Sequence, residues 1–109
     1  MIKNIYEAVK ETIGTAMETS IKVLKELLFT YKYEDKEVIV HYKTDNVNIA
    51  SGSIIPDEIE IENEEVYFSG DDFMLHVEKE IKDIEFIEEE DEVIVTLGQE
   101  QEKIYFDFI

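Results

Sequence analysis

Residues 58–77 read EIEIENEEVYFSGDDFMLHV and decide the fold of the second half of the chain. Three runs with β-branched and aromatic residues, 58–62, 66–68 and 73–77, are separated by the turn signals Asn63-Glu64 and Gly70-Asp71-Asp72. Within the first run apolar and acidic residues alternate, and period two is typical of a strand with one buried face. The stretch therefore predicts three short antiparallel strands joined by tight turns.

The pattern continues to the end of the chain. Ile84–Ile87 and Val93–Leu97 flank the acidic turn Glu88–Asp91, and after Gly98 the run Lys103–Ile109 closes the sequence. Both faces of a strand formed by this last run would be apolar. The run is therefore either a central strand or part of a contact between two copies of the protein. We expect an antiparallel sheet or meander of about six to eight short strands.

The N-terminal segment, residues 2–28, has a helical period instead. Gly14 interrupts the pattern, and Thr15-Ala16-Met17-Glu18 forms an S/T-x-x-E capping box directly after it, which allows two helices or one long helix with a weak point. The residues that line one face at i, i+3, i+4 spacing are Ile2, Ile5, Tyr6, Val9, Ile13, Met17, Ser20, Leu24, Leu27 and Leu28.

Between the helical segment and residue 58 we predict a hairpin and then a loop. Phe29–Tyr33 and Val38–Lys43 alternate around the polar turn Glu34–Glu37, and Asp45–Pro56 contains asparagine, glycine and proline. The chain is therefore expected to form one α+β domain over residues 1–109, with a helical part at 2–28 and a β-rich part at 29–109.

Charge is divided unevenly along this chain. Residues 1–56 carry eight carboxylates and seven lysines, whereas residues 57–109 carry twenty carboxylates and three lysines. Nearly all of the formal net charge of −18 therefore belongs to the acidic module 57–109, at −17. Self-repulsion on this scale destabilises a compact state, so the asymmetry points to an interaction with a basic protein surface.

The composition also excludes several classes of protein. Without cysteine or arginine there is no thiolate chemistry and no guanidinium clamp, and without a basic patch direct nucleic-acid binding is not expected. No stretch approaches the roughly 18 apolar residues of a membrane span, and an anionic membrane surface would repel the chain. No secretory pattern opens the sequence, so we expect a cytoplasmic protein.

The candidate partner-binding residues begin with the run at 58–62. Glu58, Glu60 and Glu62 project from one face of the predicted strand at steps of about 6.6 Å, and Glu64 follows at the turn. Such a row can stand in for a phosphate backbone before a groove lined with cationic side chains. The structural alternative is an edge strand whose charges prevent pairing with another chain.

Two loop clusters complete this set, Asp71-Asp72 and the run Glu88, Glu89, Glu90 and Asp91. Loops often carry function, and we expect these acids to contact arginine or lysine. They lack the calcium-loop pattern, and the two histidines, His41 and His76, have no zinc spacing, so we predict no metal and no cofactor. Nor is there a nucleophile motif or a phosphate-binding glycine loop, so we predict a protein that is not an enzyme.

In charge, size and expected fold the chain resembles phage-encoded counter-defence proteins, such as anti-CRISPR and anti-restriction inhibitors, and inhibitors of DNA-repair glycosylases. This resemblance implies an acidic inhibitor that blocks the nucleic-acid-binding groove of its target by DNA mimicry, in the host cytoplasm. Two alternatives remain open: an immunity or antitoxin-type protein that neutralises a basic toxin, and a phage structural or assembly protein.

Overall fold

The computed structural model describes residues 16–99 and 101–108. They form one helix, α1 (Ala16–Tyr33), followed by eight strands: β1 (Val38–Thr44), β2 (Val47–Ile54), β3 (Glu58–Glu62), β4 (Glu65–Ser69), β5 (Met74–Val77), β6 (Ile81–Ile87), β7 (Glu92–Leu97) and β8 (Glu102–Asp107). All strand pairs are antiparallel. The predicted α+β fold, a helix packed on six to eight short strands, is confirmed.

The strands form two sheets. Sheet A has the order β2-β1-β8-β7-β6, and sheet B has the order β3-β4-β5. The predicted strands at 58–62, 66–68, 73–77, 84–87 and 93–97 are all present, because alternating burial gives each of them one apolar face. The last strand, β8, lies between β1 and β7, so of the two alternatives left open for this run the structure shows the central strand.

One hydrophobic core joins the helix and both sheets. The Phe68 ring of sheet B lies 5.3 Å, between centroids, from the Phe106 ring of sheet A. Helix α1 contacts β3 and β6, and its buried Tyr31 makes an edge-to-face contact with Phe108 at 5.1 Å. The polar sides of the two sheets therefore point away from a shared interior.

The prediction that Phe29–Tyr33 is a strand is wrong, because these residues are the last turns of α1. Tyr31 continues the buried helical row of Leu24, Leu27 and Leu28. The helix then ends in a Schellman motif: Asp35 is left-handed with φ 54°, and the Lys36 N–H donates to the Tyr31 carbonyl at 2.9 Å. A glycine usually marks this ending, and here an aspartate takes its place.

The prediction that Asp45–Pro56 is a loop is also wrong. Residues Val47–Ile54 form β2, which pairs with β1 across a two-residue turn. Asp45 and Asn46 both have positive φ, 52° and 66°, which is the type I′ geometry that suits the twist of a hairpin. The polar composition of β2 is tolerated because it is an edge strand with one exposed side.

The proposed break at Gly14 and the first half of the predicted helical face lie outside the described residues. Within residues 16–99 and 101–108, no helix combines the length and the apolar composition that a membrane crossing requires.

Candidate functional site

The outer face of sheet B carries the row of carboxylates predicted from the sequence. Glu58, Glu60 and Glu62 on β3 are exposed, while Ile59 and Ile61 between them are 8% and 1% exposed and enter the core. The alternation fixes the direction of all three acids and spaces them by about two strand steps of 3.3 Å each. None of the three makes an ion pair or a side-chain hydrogen bond with any other described residue.

Register extends this row across the sheet. Glu62 lies opposite Glu65 of β4, and Glu78 follows directly after β5. We call these five carboxylates the acidic face: Glu58, Glu60, Glu62, Glu65 and Glu78. The three strands of sheet B contain no lysine, so like charges stand side by side on this surface with no cation on the same strands. Opposed like charges destabilise a sheet, and an incoming cationic group relieves them.

The other predicted acids are not all brought to this face. Glu64 lies in the two-residue turn between β3 and β4, beside the acidic face. Asp71 and Asp72 lie in the turn between β4 and β5, at the opposite end of sheet B. There they border a depression of about 320 Å³ that Glu37 and the residues around Gly52 also line.

The cluster Glu88–Asp91 belongs to the other sheet. Glu88–Glu90 form a 3₁₀ turn between β6 and β7, and Asp91 closes the turn in the left-handed conformation with φ 49°. Glu88, Glu89 and Glu90 are exposed, but Asp91 is partly buried. The ten predicted residues therefore fall into three groups, of which only the group from Glu58 to Glu64 occupies the acidic face and its border.

Sequence reasoning missed a second feature of the acidic face, the association of His76 with Glu65 and Glu78. His76 Nε2 lies 3.1 Å from Glu65 Oε2 and 3.5 Å from Glu78 Oε1. Glu65 lies on the neighbouring strand β4, so its contact with His76 depends on the β4–β5 pairing, whereas Glu78 comes only two residues after His76 in the sequence. The other histidine, His41, lies on β1 in sheet A.

Sheet A presents a different charge pattern on its outer face. Lys43 of β1 lies directly opposite Lys103 of β8, and the Lys43 Nζ sits 5.0 Å from the centroid of the Tyr105 ring. The acidic module contributes three strands to sheet B and three to sheet A, so Lys103 is placed beside a lysine of the first half of the chain. The charge boundary in the sequence therefore does not coincide with a boundary between the sheets.

One carboxylate on sheet A is strongly perturbed. Glu92 lies opposite Asp107, and the neighbouring Phe108 N–H donates to the Asp91 carbonyl, so this is a non-hydrogen-bonded pair whose side chains approach closely. Burial, the hydrogen bond to Asp107 and the charges of Asp107 and Glu90 raise the pKa of Glu92 to about 7, although Lys43 opposes the shift. The Glu92 carboxyl group is therefore largely protonated below neutral pH and can donate a hydrogen bond to Asp107.

We expect Glu92→Gln to stabilise the protein at alkaline pH. The folded-state pKa of Glu92 lies above its ordinary value of 4.5, so the stability that this site contributes is full below about pH 4.5 and is lost as the pH rises through about 7. A glutamine keeps a donor for Asp107 and carries no charge. After allowance for solvent screening, the gain near pH 8 is about 1 kcal/mol, or about 5 °C in Tm.

Thermal unfolding of both proteins near pH 5 and near pH 8 measures this gain, which should be small at the lower pH. Glu85→Gln is the matched control, because Glu85 is an exposed residue of β6 in the same sheet and its change removes the same charge. An equal gain in Glu85→Gln would mean that lower net charge, not the pair with Asp107, stabilises the fold.

Comparisons of the chain with protein-family models, with curated proteins and with solved structures found no match.

Proposed function

We propose that this protein is a non-enzymatic inhibitor whose acidic face occupies the basic groove of a nucleic-acid-binding protein in place of nucleic acid. The observation that carries the proposal is the row of Glu58, Glu60 and Glu62, three exposed carboxylates on one strand without an ion-pair partner among the described residues. An arginine- or lysine-lined groove supplies the charge-assisted hydrogen bonds that such a row lacks.

The charge distribution supports fast and salt-sensitive binding. A net charge of −17 over residues 57–109 steers a cationic partner during diffusion, and added salt screens that attraction. Two less polar side chains lie on the same outer face: Met74 is 66% exposed, and Tyr67 is half-buried. Apolar contacts of this kind slow dissociation, where most affinity differences between related complexes arise.

The finer part of the proposal is counter-defence. By charge, size and α+β fold the protein is similar to phage-encoded inhibitors of CRISPR and restriction systems, which act in the cytoplasm of the host cell. The target is then a nuclease or nucleic-acid-binding complex of that host, and the partner surface is the one that normally holds DNA or RNA.

A pull-down with this protein as bait tests the proposal. Lysate of a host carrying phage-defence systems is passed over the immobilised chain and washed at low and then at high salt. We expect a nucleic-acid-binding enzyme that is retained at low salt, released at high salt and displaced by DNA. Retention that is independent of salt, or recovery of virion proteins alone, would contradict the proposal.

A further inference from the structure

On the acidic face, an imidazole lies between two carboxylates. His76 directs its Nε2 toward two carboxylates, Glu65 on β4 and Glu78 after β5, and one ligand atom from each of the three lies within 4.8 Å of the others. We propose that Glu65, His76 and Glu78 bind a divalent transition-metal ion of the zinc class. This proposal goes beyond the inhibitor function and does not depend on it.

The distances match the size of such an ion. Zinc bonds of about 2.05 Å in a tetrahedron place neighbouring ligand atoms about 3.3 Å apart. The two measured separations, 3.1 Å from His76 Nε2 to Glu65 Oε2 and 3.5 Å from His76 Nε2 to Glu78 Oε1, lie on either side of that value. The third pair of ligand atoms, from Glu65 and Glu78, also lies within 4.8 Å, and a water molecule would complete four-coordination.

The sheet holds the imidazole in place. His76 lies directly opposite Tyr67 in register, and the two rings make an edge-to-face contact with centroids 5.4 Å apart. Side-chain exposure of 36% at Glu65, 40% at His76 and 73% at Glu78 leaves the site open to solvent. The ring is thus oriented by a neighbour that carries no charge, while the ion has free access.

The charges around the site favour a divalent cation. Glu62, opposite Glu65, adds a further carboxylate beside the set, and like charges on adjacent strands repel one another. The nearest lysine in sequence, Lys79, is paired instead with Glu102. Among the described residues, no lysine forms an ion pair with Glu62, Glu65 or Glu78.

The ligand types select the class of metal. Imidazole nitrogen suits zinc, copper, iron and nickel, whereas calcium and magnesium prefer sites made of oxygen alone. One nitrogen with two carboxylate oxygens and an open position therefore favours zinc over calcium. Binding would tie β4 to β5 and remove two units of negative charge from the acidic face.

Isothermal titration calorimetry of the full chain with zinc chloride tests the site. We expect one zinc ion per chain, bound at least tenfold more tightly than calcium. His76→Asn and Glu65→Gln each remove a ligand and should weaken zinc binding more than about tenfold. Removing a residue that only hydrogen-bonds to a metal ligand already lowers metal affinity by about 10- to 100-fold.

Two matched variants separate a specific site from diffuse screening. Glu58→Gln removes the same charge from the same face of sheet B, and His41→Asn removes the other imidazole; both should bind zinc within twofold of the unchanged protein. Equal weakening by Glu58→Gln and Glu65→Gln, or unchanged binding in His76→Asn, would overturn the proposal. In NMR spectra, zinc should shift the imidazole signals of His76 and not those of His41, and the absence of a shift at His76 would also overturn it.

Discussion

We expect Phe106→Ala to lose about 3–5 kcal/mol of unfolding free energy, as truncations of fully buried aromatic side chains do. Phe106 is 0% exposed in the central strand β8, and its ring contacts Phe68 of the opposite sheet and Phe108, which follows β8, with centroids at 5.3 and 6.3 Å. Domains of this size unfold at about 5–15 kcal/mol in total. The substitution therefore removes a large part of the stability, because it removes aromatic packing between the two sheets.

Urea denaturation measures this loss, and Tyr105→Ala is the control. Tyr105 precedes Phe106 on β8 but lies on the outer face, where its ring is half-buried beside Lys43. We expect its truncation to cost about 1 kcal/mol or less. If Phe106→Ala does not fold, Phe106→Leu can be measured in its place, with an expected loss of about 1.5 kcal/mol of unfolding free energy. Equal losses at residues 105 and 106 would mean that the sheets do not share a core.

The sequence predicted sheet B and the β6–β7 hairpin because two independent signals agreed there. Isoleucines alternate with glutamates in 58–62, and Asn63-Glu64 and Gly70-Asp71-Asp72 end the neighbouring runs at the observed turns. The alternation of apolar residues and the turn residues can both be recognised in the local sequence. Where both signals indicate the same hairpin, its register follows from the length of its loop.

The two errors arose where these signals conflicted. Phe29, Tyr31 and Tyr33 alternate and have high β propensity. Tyr31 also continues the buried row of α1, and its packing in the core stabilises the helix over the strand. In β2, Asn48 and Gly52 indicated a loop, although an edge strand tolerates both. Gly52 faces Phe73, whose ring would lie 3.0 Å from a β-carbon at this position. No local pattern reports a neighbour that is 21 residues away in sequence.

Only part of the candidate site could be predicted for the same reason. The direction of Glu58, Glu60 and Glu62 follows from alternation on one strand. The approach of Glu65 to His76 follows from pairing between strands, and the opposition of Glu92 and Asp107 joins the start of β7 to the end of β8. Sequence-distant contacts of this kind set the pKa of Glu92 and the geometry of the histidine, and they become visible only in the folded protein.

The position of β3 at the edge of sheet B gives its carboxylates a second physical role. Charged side chains on an edge strand oppose pairing with another chain, whatever the partner of the protein. The two roles make different predictions. Edge protection requires charge on β3 but no particular affinity, whereas groove binding requires that the same carboxylates contribute to a complex.

We expect the triple variant Glu58→Gln, Glu60→Gln, Glu62→Gln to bind the target recovered in the pull-down at least about 100-fold more weakly at low salt. Each carboxylate lost from a charge-assisted contact removes on the order of 1 kcal/mol, and three together remove about 3 kcal/mol. The dependence of affinity on salt should also become shallower, because fewer charges pair in the complex. Glutamine preserves the length and polarity of each side chain, so the fold of β3 should persist.

The control is the triple variant Glu34→Gln, Asp83→Asn, Glu85→Gln, which changes the net charge by the same amount at exposed positions outside sheet B. Through the long-range field alone it should slow association and weaken binding only a few-fold. Surface plasmon resonance at two salt concentrations separates the association and dissociation rates of both variants. If both triples weaken binding equally, net charge rather than the acidic face attracts the target. If the β3 triple self-associates and keeps its affinity for the target, the carboxylates of β3 protect an edge and do not bind a groove.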